Sequence, residues 1–328
     1  MKDSNNEKRI VITGVSSFVG CHLALGFSRS GWRVIAVTRK PHVEYDPLRR
    51  RRFEWIGQGI DWATLDIKEE KATRQFIRQH RPNVWVHHAG YASNYHNLDY
   101  DLEEGQAINV APLQYIYEEL AAVGCRGIII TGSSMEYSDG EKLCMETDFC
   151  SPTTPYGFSK LTETLFACHQ ASRWGLPTRV ARLFVPFGVL DAPQKLIYYV
   201  YENLQRGKAV DLSPCTQKRD VVYIEDTVEA YRLLAQDLDR KGWEIFNICS
   251  GTATPIKDIV QWIADGLGAP SRLLRFGVHG MREGEPMVSY GCAEKAQKQL
   301  GWKPRSPQTG VKDLLKDMAK FQTTKGTS

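Results

Sequence analysis

An apolar, β-branched run, Ile10-Val11-Ile12-Thr13, passes without a spacer into Gly14-Val15-Ser16-Ser17-Phe18-Val19-Gly20 and on into an amphipathic stretch ending near Ser30. A buried strand, a glycine turn and a helix in this order leave a chain few folds to adopt. Gly14 suits the tight turn, and Gly20 lets helix and sheet approach. The helix start offers free amides and a partial positive charge to a pyrophosphate. The middle glycine of the dinucleotide fingerprint is missing, with Ser17 in its place, which keeps the amide but adds bulk. Ser16, Phe18 and Val19 complete the expected phosphate loop.

The same alternation continues. Residues 33–38, 84–88, 127–131 and 177–184 read as buried parallel strands, and 19–30, 70–80, 106–123 and 156–174 as helices. Strands alternating with helices imply an α/β fold with a Rossmann-like, doubly wound parallel sheet. Past residue 185 the rhythm loosens into short strands and Gly/Pro-rich loops. The expected division is a dinucleotide-binding domain over 1–185, with segments near 219–250 returning to it. Residues 186–328 then form mainly a smaller substrate-binding lobe. The 328 residues are long enough for both.

Composition removes several function classes. No apolar run approaches the roughly 18–20 residues of a membrane span, and the polar N-terminus lacks a signal-peptide core. The expected location is cytoplasmic, with no membrane partner. Forty-two basic residues against 38 acidic ones give a net charge of +4, no argument for nucleic acid. The dense run Arg49-Arg50-Arg51-Arg52 reads as a solvated face. The eight cysteines form no Cys-x-x-Cys pair, and neither they nor the histidines have metal-ligand spacing, so no metal site is expected.

Strand two ends Val37-Thr38-Arg39-Lys40, where an acidic residue would hold the ribose 2′-hydroxyl of NAD. Two cations in place of a carboxylate favour NADP(H), with NAD(H) as the alternative. Asp66, followed by Ile67, is placed to meet the adenine edge. Further along, Tyr156 and Lys160 form the chain's one Tyr-x-x-x-Lys pair, just after Pro155, and share a helix face. A nearby ammonium is expected to lower the phenol's pKa toward working pH, suiting Tyr156 to proton exchange with a carbinol or carbonyl oxygen. Ser133 and Ser134 follow a strand whose C-terminal end lies at the sheet edge where such folds bind ligands.

These motifs, with Asn109-Val110, Gly132-Ser133-Ser134-Met135-Glu136-Tyr137, Pro155-Tyr156-Gly157-Phe158-Ser159-Lys160 and Arg219-Asp220-Val221-Val222-Tyr223-Ile224-Glu225-Asp226, resemble the extended short-chain dehydrogenase/reductases. The match is to the nucleotide-sugar epimerase/dehydratase/reductase branch and runs from about Ile10 to about Phe321. The resemblance implies Tyr156 as acid/base, Lys160 also holding the nicotinamide ribose, and Ser133 on the reacting oxygen with Ser134 as a second candidate. It further implies that His88, Ala89 and Gly90, with Asn109, line the cofactor. Arg219 and Arg282 become candidates for the phosphates of a nucleotide-sugar substrate, and helices 106–124 and 156–174 for a homodimer interface.

Two departures bear on the reaction. The 4,6-dehydratases of the branch carry Asp-Glu after the catalytic Thr, whereas Ser134-Met135 stand here, so dehydration is disfavoured. Val185 replaces the branch's usual Asn, which removes a polar substrate contact. The resulting expectation is an NADPH-dependent reductase of a nucleotide-linked 4-keto-(6-deoxy) sugar. An NAD-dependent nucleotide-sugar 4-epimerase is the alternative, and a non-catalytic dinucleotide sensor a third reading.

Overall fold

The computed structural model describes residues 8–138, 140–281 and 285–323. The first half builds β1 (Arg9–Thr13), α1 (Phe18–Arg29), β2 (Arg33–Thr38), α2 (Pro47–Ile56), β3 (Asp61–Thr64), α3 (Glu70–His80), β4 (Val84–His87), α4 (Leu102–Asn109), α5 (Leu113–Ala122), β5 (Gly127–Ser133), α6 (Pro155–Trp174) and β6 (Thr178–Leu183). Beyond it come β7 (Val185–Phe187), α7 (Leu196–Gln205), β8 (Val210–Asp211), β9 (Lys218–Arg219), β10 (Val221–Tyr223), α8 (Ile224–Asp237), β11 (Trp243–Ile248), β12 (Thr254–Pro255), α9 (Ile256–Leu267), β13 (Leu274–Arg275), β14 (Val288–Ser289), α10 (Glu294–Leu300) and α11 (Pro307–Thr323).

Seven strands form one parallel sheet in the order β11-β6-β5-β4-β1-β2-β3. The chain runs outward from β1 to β3, then crosses back to lay β4 on the other side of β1. This reversal opens a crevice at the C-terminal ends of β1 and β4, where ligands of open α/β sheets bind. Strand residues alternate between two cores. Val11, Ile35, Val37, Trp85, Ile128 and Ile130 lie in one core with residues of α3, α5 and α6. Ile10, Ile12, Val34, Ala36, Val86 and Ile129 lie in the other with residues of α1, α7, α8 and α9. A sheet covered on both faces explains the uninterrupted apolar strands.

Three sequence expectations change. The helix expected over 106–123 is two helices, because Pro112 has no amide to continue α4 and instead caps α5. A strand (β3) and a helix (α2) stand where the residues carry no periodic signal. The arginine run is not uniformly solvated: Arg49 and Arg50 are exposed, Arg51 is half-buried against Phe321, and Arg52 is buried. Asp46 caps α2 and Pro47 starts it, which turns Arg52 inward. Its guanidinium donates to the carbonyls of Leu190 and Ser16, tying the phosphate loop to the second half of the chain.

The second half returns to the sheet through β11, while short pairs (β10 with β7, β13 with β8) and a three-stranded sheet (β12-β9-β14) carry its loops. Among the described residues no helix is long and apolar enough to cross a membrane, and no group of three or more His, Cys, Asp or Glu side chains could hold a metal ion. All eight cysteines are free. Arg179 of β6 is wholly buried, pairs with Asp237 and donates to the carbonyls of Thr178, Asp237, Arg240 and Gly242. Removing such a cation strands a carboxylate and several carbonyls. Arg179→Met is therefore expected to lower unfolding free energy by about 3–5 kcal/mol, read as a shifted denaturant midpoint.

Candidate active site

The crevice is shaped first by Gly14. Its φ is +72°, and a Cβ there would lie 2.8 Å from the Ala89 backbone and 2.9 Å from the His88 carbonyl. The loops after β1 and β4 therefore touch through a position only glycine fills. Thr13 locks the contact, its Oγ1 accepting the amides of His88 and Ala89, each at 3.0 Å.

Ser17, in the place of the missing glycine, is the N-cap of α1. Its Oγ accepts the Gly20 amide at 2.9 Å and hydrogen-bonds His88 Nε2 at 2.8 Å. His88 Nδ1 continues to Thr131 Oγ1 at 3.0 Å, and Thr131 to the Tyr231 hydroxyl at 2.6 Å. The side chain that threatened to crowd a phosphate is thus turned sideways into a hydrogen-bonded row. The cap takes the Gly20 amide, which leaves the first-turn amides of Phe18 and Val19 for an anion. With the side-chain-free cradle at Gly14, this loop fits a pyrophosphate.

At the end of β2, Thr38 is buried and its Oγ1 donates to the Lys40 carbonyl at 3.1 Å. The Arg39 amide donates to the Tyr45 hydroxyl, and the Lys40 ammonium lies 5.1 Å from that ring's centre. Residues 38–40 thus present a hydroxyl and two cations, with no carboxylate among them. Asp66 accepts the Lys68 amide, while buried Ile67 accepts the Tyr115 hydroxyl through its carbonyl.

Ser133 closes β5 and caps a 3-10 turn over Ser134–Glu136. Glu136, fully buried, accepts the Ser133 amide at 2.8 Å through Oε1 and Arg182 Nε at 2.8 Å through Oε2. Arg182 also donates to the Tyr137 hydroxyl, which donates to Asn247. A buried network of charge-assisted bonds thus fixes the turn that carries Ser133. Opposite it, Thr154 caps α6 and Pro155 opens it. A Cβ on Gly157 would sit 2.1 Å from the Met135 carbonyl, so α6 rests directly on the turn. That approach brings Tyr156 up to Ser133, near enough for the serine to influence the phenol, its ring edge-on to Tyr95 and Tyr100.

One expectation is corrected here. Lys160 lies on the Tyr156 face of α6, yet the Tyr156 phenol is pushed above its usual value, by burial first and the Glu163 carboxylate second. Glu163 forms a buried ion pair with Lys160, so the ammonium's field is offset before it reaches the phenol. Nothing in the composition distinguished Glu163, but its i+3 spacing from Lys160 was a readable signal. Glu136 had a local signal too, the Ser133-x-x-Glu136 capping-box pattern, whereas the Ser17–His88 bond had none, because it depends on two loops meeting.

The remaining expected residues divide. Asn109 is buried, accepts the Tyr91 amide at 2.7 Å and donates to Ser159 at 2.9 Å, which fastens the chain after His88-Ala89-Gly90 to α6. It shapes that loop rather than pointing from it. Ser134 lies in the 3-10 turn. Arg219 pairs with Glu285 at 3.0 Å. Arg282 lies outside the described residues.

A family model described as "NAD dependent epimerase/dehydratase family" matches residues 10–249. The chain belongs to this family. It is 22% identical to UDP-glucose 4-epimerase 2 of Arabidopsis thaliana, covering 95% of this chain and 94% of that protein. It is 24% identical to a UDP-glucose 4-epimerase of Neisseria gonorrhoeae, covering 94% and 95%. Among solved structures, the UDP-glucose 4-epimerase of Thermotoga maritima with UDP-glucose superposes with a TM-score of 0.83 at 22% identity, covering 96% of this chain and 99% of that one. The dTDP-glucose 4,6-dehydratase of Bacillus anthracis with NAD gives 0.80 at 18% identity, covering 95% and 96%. The chain is an enzyme of the extended short-chain dehydrogenase/reductase type, as the sequence motifs implied.

Family membership does not account for His87, which is fully buried with neither ring nitrogen partnered. Burial and the nearby Lys160 charge push it from 6.5 down to about 3. The unfolded chain therefore binds a proton the native state refuses as pH falls from about 6.5 toward about 3. His87's contribution is present above that window and lost within it. His87→Leu should flatten the acid-side fall in unfolding free energy by about 1.4 kcal/mol per pH unit, measured by denaturant titrations at stepped pH.

Proposed function

We propose that this enzyme exchanges hydride and proton at C4 of a nucleotide-linked hexose. The observation that carries the reading is the seating of the Tyr156 end of α6 on the turn that carries Ser133 at the sheet's C-terminal edge, beside a phosphate loop with no side chain at Gly14. Gly14 and Ser16–Gly20 would hold the pyrophosphate of a dinucleotide, residues 38–40 with Asp66 and Ile67 its adenosine end, and His88–Gly90 with Lys160 its nicotinamide end. Bound there, a nicotinamide dinucleotide supplies reversible hydride exchange. Tyr156 gives its proton to the C4 oxygen on reduction and takes it back on oxidation, while Ser133 donates a hydrogen bond to the same oxygen. Residues 186–328, apart from the strand returned to the sheet, would supply most of the sugar-nucleotide contacts, Arg219 among them, with Ser134 of the 3-10 turn adding to these.

Two outcomes of that exchange have support. A 4-epimerase using NAD is favoured by the relatives, which are UDP-glucose 4-epimerases, and by neighbours solved with NAD. A 4-ketoreductase using NADPH is favoured by Thr38, Arg39 and Lys40, whose cations suit a 2′-phosphate and which offer no carboxylate to a 2′-hydroxyl. A homodimer is part of the proposal because Phe158 and Leu165 of α6 remain 50% and 60% exposed on one helix. The proposed location is cytoplasmic.

The deciding experiment denatures purified protein, identifies any released dinucleotide, and then supplies UDP-glucose or a 4-keto sugar nucleotide. Retained NAD with conversion of UDP-glucose to its C4 epimer supports the epimerase. An empty site, preference for NADPH over NADH by nicotinamide fluorescence, and oxidation of NADPH by the keto sugar support the reductase. Tyr156→Phe should cost either reaction about 10²–10⁴-fold in turnover with cofactor affinity unchanged, and retained turnover would remove Tyr156 from the mechanism.

A further inference from the structure

Tyr156, Lys160 and Glu163 stand at i, i+4 and i+7 on α6 and so form one stripe of the helix. The Lys160 and Glu163 side chains are 8% and 1% exposed and pair with each other. Glu163 Oε1 has no partner, and neither does either ring nitrogen of His87 on β4, whose charge state Lys160 influences. A buried carboxylate is costly, and one with half its acceptors idle is a poor staple. Its position directly beyond the catalytic lysine fits an electrostatic task better.

We propose that Glu163 is a positioning residue for the acid–base step, its carboxylate holding the Lys160 ammonium in an ion pair along α6 and offsetting its charge at the Tyr156 phenol. The inference deepens the proposed role of Tyr156 and rests on it. Burial pushes Glu163 itself up to about 7 against the pull of Lys160, so above that pH it is a carboxylate; seen from Tyr156 the two together are then nearly neutral, and the phenol keeps its proton more tightly than beside a lone ammonium. The surroundings agree with this. Glu136 of the 3-10 turn, the other carboxylate acting on Glu163, is already matched by Arg182 of β6. His87 and His88 at the end of β4 are pushed down by burial, which leaves them uncharged. Tyr95 and Tyr100 from the loop before α4 face Tyr156, while Tyr117 of α5 and Tyr231 of α8 face Glu163. The phenols of Tyr100, Tyr117 and Tyr231 are pushed up by burial and stay protonated, as does Cys168 on α6. Among the described residues around this stripe, Glu163 is thus the one charge that opposes Lys160 without a cation of its own elsewhere.

The test needs no substrate. A fluorinated tyrosine at position 156, with an intrinsically more acidic phenol, can be titrated by fluorine NMR while the full-length protein stays folded. Seven residues separate Tyr156 from Glu163, roughly 10 Å along the helix axis. Glu163→Gln should lower the phenol midpoint by about one pH unit, the effect of one charge at that range. Glu163→Asp, which keeps the charge one methylene further from Lys160, should fall between. An unmoved midpoint in folded Glu163→Gln would overturn the proposal. Should that variant not fold, an unmoved midpoint in Glu163→Asp does the same. Failure of the proposed function reads differently: the unsubstituted enzyme turns over no sugar nucleotide, while the midpoint difference between variants persists.

Discussion

The contact between the loops leaving β1 and β4 governs the rest of the site. At Gly14 two backbones meet with no space for a methyl group, and Thr13 ties them with one oxygen that accepts two amide hydrogen bonds. This closure turns the reversal of strand order into a defined crevice. It also forces Ser17 toward His88, and from there a row of hydrogen bonds passes through Thr131 of β5 to Tyr231 in the second half of the chain. A second close approach, Gly157 against the Met135 carbonyl, sets Tyr156 on Ser133. Both depend on the absence of a side chain, so the geometry of the proposed site rests on backbone packing that a single methyl group would disrupt.

Around these contacts, among the described residues, three ion pairs are buried: Glu136 with Arg182, Lys160 with Glu163, and Arg179 with Asp237. Desolvation makes such pairs poor sources of stability unless their remaining groups are satisfied. Arg179 meets that condition through four carbonyls, and Glu136 through the Ser133 amide and Arg182. The Lys160–Glu163 pair does not, with Glu163 Oε1 idle. The pair that lies on the Tyr156 stripe of α6 is thus the least satisfied of the three.

The sheet was legible because its strands are buried on both faces. Continuous β-branched runs such as Ile10–Thr13 and Gly127–Thr131 suit the interior of a parallel sheet and little else. The helix break at Pro112 escaped because apolar periodicity continues across it. The short strand β3 escaped because Asp61–Thr64 is partly exposed and carries no alternation strong enough to detect. Arg52 read as one of four solvated cations, since a sequence does not reveal which face of α2 turns toward the Ser16 and Leu190 carbonyls.

By itself the sequence determined the fold class, and it singled out the glycine turn after β1 and the Ser133, Tyr156 and Lys160 of the proposed site. Those features are local: a glycine at a fixed offset from a strand, or two side chains four apart on a helix. The electrostatic state of that set was decided only by tertiary structure. Whether Lys160 acidifies Tyr156 depends on what else the fold buries beside the ammonium, and electrostatic effects in a dry interior are set by through-space neighbours. The i+4 spacing placed Lys160 beneath Tyr156; burial against β4, β5 and α5 turned Glu163 inward and reversed the expected direction of the shift.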